Sequence, residues 1–117
     1  MQRTIKFRAW DKTLNMIHCW SAIENHFTFE ELLDTNFFEA MQYTGLKDKN
    51  GVEIYEGDIL SYFGFEYEVT FEESAFGWSE DGQFYAFAEM AIDEIEKTKI
   101  IGNIYENPEL IEAKNDD

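Results

Sequence analysis

The chain has 117 residues, of which 44% are apolar and 17% aromatic, with a single cysteine and a formal net charge of −16. That size suits one compact domain or a small domain with an appended subdomain, with enough apolar side chains for a core that needs no staples. One cysteine excludes an intramolecular disulfide, and no apolar run approaches the length of a membrane-spanning helix, so an intracellular, reducing location is expected.

The charge is unevenly spread. Residues 1–52 carry 6 Lys/Arg against 7 Asp/Glu, whereas residues 53–117 carry 3 against 18. A strongly acidic segment repels phosphate backbones, which makes the C-terminal part a poor nucleic-acid binder. It is either a well-solvated surface or a patch that meets a basic partner protein.

In chain order, TIKFRAW (residues 4–10) alternates with period two, placing Ile5, Phe7 and Ala9 on one face, and predicts a half-buried strand. Asp11-Lys12-Thr13 reads as a turn and LNMIHCW as the returning strand of a hairpin. Thr28 followed by Glu31 has the spacing of a capping box and predicts a brief helix through Leu33. FFEAMQYT is strand-like. GLKDKNG then brackets Asp48 and Asn50 between Gly45 and Gly51, which reads as a connection without regular structure.

From Glu56 onward, EGDILSYF, EYEVTF, GWSEDGQFYAF and KIIGNIY are short runs rich in β-formers, punctuated at Gly64, Gly77 and Asp81-Gly82. Such spacing predicts a small barrel or strongly bent sheet, with Ile59, Val69 and Ile101 in its core. AEMAIDEIEK predicts a helical turn or two that partly buries Met90 and Ile95. Asn107-Pro108 should close the ordered chain, leaving a frayed tail.

Three segments, IKFRAWD, YTGLKDKNGVEIYEGDIL and IIGNIYENPEL, occur in an order that resembles the YopX family of small phage and prophage proteins. The resemblance implies a C-terminal SH3-type β-barrel, a phage or prophage origin, and hence the cytoplasm of a bacterial host. It implies no particular reaction and carries no catalytic residues onto this chain. The expected architecture is mainly β with short helices. Residues 1–52 form a hairpin-containing segment and connecting loop, residues 53–108 an SH3-type barrel, and residues 109–117 an acidic tail. Gly57-Asp58 would start the first barrel strand, and Gly102 would mark a bulge or close backbone approach.

Chemical motifs are sparse. With Gly51 at the sixth position of a calcium loop, Leu46 and Gly57 would fall where Asp and a bidentate Glu are required, so Asp48 and Asn50 make no such site. His18 and His26 lack metal-ligand spacing, and Cys19, in the apolar context MIHCW, reads as a small buried thiol. The serines at 21, 61, 74 and 79 have no nucleophile elbow, and no glycine loop cradles phosphate. No catalytic, cofactor-binding or metal-binding residues are expected, nor any cofactor.

The aromatic set Tyr62, Phe63, Phe65, Tyr67, Phe71, Phe76, Trp78, Phe84, Tyr85 and Phe87 reads mainly as barrel core, with a minority available to bind a peptide. The expected function is therefore non-enzymatic: a module that binds an unidentified protein through an acidic, aromatic-rich face. Mimicry of DNA charge is one specific form of it. The alternative is nucleic-acid binding through the N-terminal Arg3, Lys6, Arg8 and Lys12.

Overall fold

The structure, a computed structural model, describes residues 4–80 and 82–112. Its chain divides into two compact units, Met1–Tyr43 and Thr44–Asp117. Among the described residues it is mainly β, with short helices.

In the first unit, the alternating N-terminal stretch becomes strand β1 (Phe7–Asp11) and pairs antiparallel with β2 (Met16–His18), as the sequence predicts. Asp11 builds the turn between them, its Oδ1 accepting the backbone N–H of Thr13 at 2.9 Å and of Leu14 at 3.0 Å. On its other edge β1 pairs with β3 (Phe38–Lys47). Two helices separate β2 and β3: α1 (Trp20–His26) and α2 (Phe29–Leu32). The capping box at α2 forms as expected, with Thr28 and Glu31 each satisfying the other's backbone N–H. Helix α1 is a departure, because the returning strand stops at His18 and Trp20 opens a helix that buries Ile23. The driving force is burial: Ala9, Ile23 and Leu32 form a small core flanked by Phe7, Trp20, Phe27 and Phe38.

In the second unit β3 runs on through Gly45 to Lys47, so the connection expected from Gly45 begins only at Asp48. Strand β4 (Glu53–Tyr55) hydrogen-bonds to it. Next come β5 (Asp58–Tyr62), β6 (Phe65–Glu68), β7 (Thr70–Glu72), β8 (Ala75–Glu80) and β9 (Gln83–Ala86). A 3₁₀ turn (Phe87–Glu89), α3 (Ile92–Ile95), β10 (Lys99–Asn103) and α4 (Glu109–Glu112) complete the unit. The strands form two antiparallel three-stranded sheets, β10-β5-β6 and β7-β8-β9. Between them lies a core of Ile54, Leu60, Tyr67, Val69, Trp78, Phe87 and Ile95. Tyr67 stacks on Trp78 with ring centres 4.4 Å apart, and Phe87 meets the indole edge-on at 5.7 Å.

The punctuated stretches act as architecture. Gly57 has a φ of +89°, which only glycine adopts without strain, and its N–H and C=O reach Val69 and Ile104. Asp58 is buried, and its Oδ2 accepts the Tyr55 N–H at 2.7 Å. The ladder of β10 slips between Ile100 and Gly102, a bulge, and a Cβ on Gly102 would overlap the Asn107 side chain. Asn103 Oδ1 accepts the N–H groups of Tyr105 and Glu106, and the Asn107 N–H returns to the Asn103 carbonyl. That lock ends the strand.

Four expectations need correction. Ile101 is only half-buried, unlike Ile59 and Val69, which are fully enclosed, because the bulge turns the ladder at that position. Gly77 is no separator; it lies buried inside β8. Cys19 is exposed, because the strand it was to join gives way to α1. The chain also stays regular past Pro108, where α4 forms. Ile95 is buried more completely than anticipated, and Met90 partly so. Residues 113–117 of the tail and Asp81 of the Asp81-Gly82 turn lie outside the described residues.

Truncation should separate core from surface. Ile59→Ala is expected to cost about 2–5 kcal/mol in denaturant unfolding, and Ile101→Ala clearly less. Gly102→Ala should also destabilise, because its methyl must displace Asn107 from the lock on Asn103. A neutral Gly102→Ala would remove the close-approach account of that glycine.

Candidate functional site

Most buried polar groups are occupied in holding turns. Asp48 Oδ1 accepts the N–H of Asn50 at 2.9 Å and Val52 at 3.0 Å, while Oδ2 accepts the Ile100 N–H at 3.0 Å. His18 Nε2 lies 2.9 Å from Asp11 Oδ2, and this hydrogen bond, with those from Leu14 and Thr13, holds the Asp11 carboxyl below its ordinary pKa. His26 stands in the last turn of α1, apart from that pair. No three His, Cys, Asp or Glu side chains gather as a metal-ligand group among the described residues.

Cys19 precedes α1, where its Sγ lies 3.3 Å from Ser21 Oγ, and this contact with nearby backbone N–H groups lowers the thiol pKa. The basic N-terminal set is largely engaged within its own unit. Lys12 pairs with Glu39 at 2.9 Å and donates to the Thr35 carbonyl, and Lys6 sits 4.9 Å over the Tyr43 ring. Arg3 lies outside the described residues.

The aromatic set reaches the core less often than the sequence predicts, with Tyr62 and Phe76 packed against its buried members. Tyr67, Trp78 and Phe87 are buried, whereas Phe63, Phe65, Phe71 and Tyr85 are exposed, Phe63 most of all at 75%. Phe63 also has a φ of +49° in the two-residue turn that joins β5 to β6, with Gly64 at +84° completing it.

Strand register defines one acidic face. Glu72 pairs with Ala75, Gly77 with Ala86, and Ser79 with Phe84, which puts these six residues on the same side of the β7-β8-β9 sheet. The opposite side sends Phe76 and Trp78 to the core. Phe84 lies across Gly77, where a Cβ would strike its ring, so the glycine lets an aromatic floor settle on the sheet. Around that floor Glu72, Glu73, Ala75, Ala86 and Glu89 line a depression of about 170 Å³. Thr70 Oγ1 donates to Glu72 Oε2 at 3.1 Å, which orients one wall. Glu68 is half-buried, and burial together with the charges of Glu56 and Glu72 raises its pKa. Folding therefore places tension on the Glu68 carboxylate, first through burial and then through its neighbours' charges. Sequence reasoning named Phe84 and Gly77 without joining them; the period-two alternation across β8 and β9 is the signal that does so.

The chain matches the YopX protein family over residues 6–112. It belongs to the YopX family. Among solved structures, the crystal structure of protein EF1440 from Enterococcus faecalis is similar, with 28% identity and a TM-score of 0.58, covering 94% of this chain and 99% of that one. No curated protein matches it. No helix among the described residues of this YopX-family chain is long and apolar enough to cross a membrane.

The tension at Glu68 has a testable sign. A carboxyl whose folded pKa is raised opposes folding at neutral pH and ceases to do so as pH falls through that raised value. Glu68→Gln should therefore raise the thermal midpoint at pH 7, and the gain should shrink toward pH 4. An unchanged midpoint across that range would show that neither burial nor the charges of Glu56 and Glu72 penalise the Glu68 carboxylate.

Proposed function

We propose that this YopX-family chain is a non-enzymatic, phage- or prophage-derived protein-binding module of the bacterial cytoplasm, and that its second unit is an SH3-type barrel. The barrel reading rests on connectivity. Strands β6 and β7 are one strand bent at Val69, whose N–H and C=O turn away to Asp58 and Gly57. The first half joins the β10-β5-β6 sheet and the second half the β7-β8-β9 sheet. A 3₁₀ turn follows β9, and β10 returns beside β5. A strand shared between two sheets across one core is how a small barrel closes with few strands.

The observation that carries the binding reading is the Phe84 depression and its rim of Glu72, Glu73 and Glu89. An aromatic floor with carboxylate walls suits a Lys or Arg side chain, whose stem packs on the ring while its charge meets the acids. The matching partner is a basic protein surface. Negative potential over the unit would speed encounter with it and disfavour nucleic acid. Competition with DNA for a basic protein is one form such binding takes.

Affinity capture from bacterial lysate, quantified by mass spectrometry, tests this. Basic proteins should be enriched on the native chain, lost on a Glu72→Lys/Glu89→Lys variant, and released as salt rises from about 50 to 300 mM, where screening shortens below about 10 Å. Duplex DNA retention abolished by Lys6→Glu/Arg8→Glu would overturn the reading in favour of N-terminal nucleic-acid binding. So would capture that is indifferent to the two charge reversals.

A further inference from the structure

Another cleft in the second unit presents exposed lysines. Gly45, Leu46, Lys47, Asp48, Lys49, Gly51, Ile92 and Glu96 enclose an open space of about 480 Å³, within the usual range for ligand sites. It shares no lining residue with the Phe84 depression. Between residues 44 and 112 the sequence has no arginine, and its only lysines are Lys47, Lys49, Lys97 and Lys99. Folding draws them together. Lys47 and Lys49 line the cleft, and the Lys49 N–H donates at 2.8 Å to the carbonyl of Thr98, the residue between Lys97 and Lys99.

The lysines of the cleft are its accessible positive charges. Asp48 is buried, and its two carboxylate oxygens are taken by three backbone N–H groups, so it is committed to its own backbone rather than to the lysines. Lys97 is occupied by Glu94 at 3.5 Å. Lys47 and Lys49 are exposed and make no ion pair among the described residues, and Glu96 is the exposed carboxylate across from them. Leu46 is half-buried and Ile92 is 61% exposed, which gives the cleft an apolar side. Any Cβ at Gly45 or Gly51 would point into open space, so the entrance is unobstructed.

We propose that this cleft binds an acidic peptide segment of a partner protein, with carboxylates on Lys47 and Lys49 and an aliphatic side chain on Leu46 and Ile92. The apolar wall is what favours a peptide. A nucleic-acid backbone offers nothing to it, and the many carboxylates elsewhere on the unit would repel a long polyanion. Lysines also meet carboxylates as point charges and need no planar fork. The proposal does not depend on the acidic face, since the two surfaces are lined by different residues.

The probe is acetyl-Glu-Glu-Leu-Glu-Glu-amide, titrated to millimolar concentration into the isotope-labelled full chain while backbone amide signals are followed. Saturable shifts are expected at Gly45, Leu46, Lys49 and Gly51. The Lys47→Glu/Lys49→Glu variant should weaken binding about tenfold or more, with the Trp78 and Val69 signals unchanged as proof of an intact core. Inorganic phosphate and a short DNA duplex are run in parallel. The proposal is overturned if the peptide produces no saturable shift at these amides, or if the double variant binds it equally well. It is also overturned if phosphate or DNA shifts the same signals at lower concentration than the peptide does.

Discussion

The second unit depends on how one carboxylate is neutralised. Asp48 is 4% exposed and has no cation as its hydrogen-bond partner among the described residues; three backbone N–H groups surround it instead, two from its own loop and one from Ile100. A buried polar group left unpartnered would cost several kcal/mol, so the burial of Asp48 holds the loop and β10 against each other. That requirement fastens a turn at the start of the unit to a strand 52 residues further on. Strand β10 then lies beside β5, and β5 beside β6, so the sheet that forms one wall of the core inherits its position from the loop.

The same device recurs wherever the chain reverses. Asp11, Asp58 and Asn103 are buried and accept backbone N–H groups from residues two or three positions away. Short polar side chains reach backbone N–H groups two or three residues away, which is why they organise turns. This divides the acidic residues by role. Several aspartates are committed to backbone N–H groups, while Glu72, Glu73 and Glu89 stand around Phe84 at the surface. Net charge alone therefore overstates what faces a partner in some places and understates it in others.

Legibility followed the range of the interaction that decides each feature. The β1–β2 hairpin, the Thr28 capping box, the Gly57 start of β5 and the Gly102 bulge are set by residues within a few positions, and the sequence predicts them. Helix α1 was not legible, because its seven residues are stabilised through Ile23 and Trp20 packing against β1-side residues rather than by local propensity. The Glu73-Ser74 turn joins β7 to β8 with φ of +50° and +65°, a conformation whose usual Asn or Gly signals are missing, so pairing of the flanking strands imposes it. The shared face of Glu72, Ala75, Gly77 and Phe84 was hidden for a related reason. Period two is visible within each strand, but which faces coincide depends on register, and register depends on that unsignalled turn.

The charge segregation of the second unit follows from the same geometry. Its lysines lie in the two segments that Asp48 brings together, one beside the 48–52 loop and one at the entry to β10. In sequence these segments are about half the chain apart, and a charge count sees only a few cations diluted among carboxylates. Folding concentrates them at one place and leaves the β7-β8-β9 face without any. A uniformly acidic protein would repel every anionic group and attract every cationic one with little discrimination. A unit with a carboxylate-rimmed aromatic floor and a separate lysine cleft can require two complementary signs from what it binds, and a wrong match at either surface costs Coulomb energy. Specificity of that kind needs no catalytic residue. It needs the rigid placement that the buried Asp48 provides.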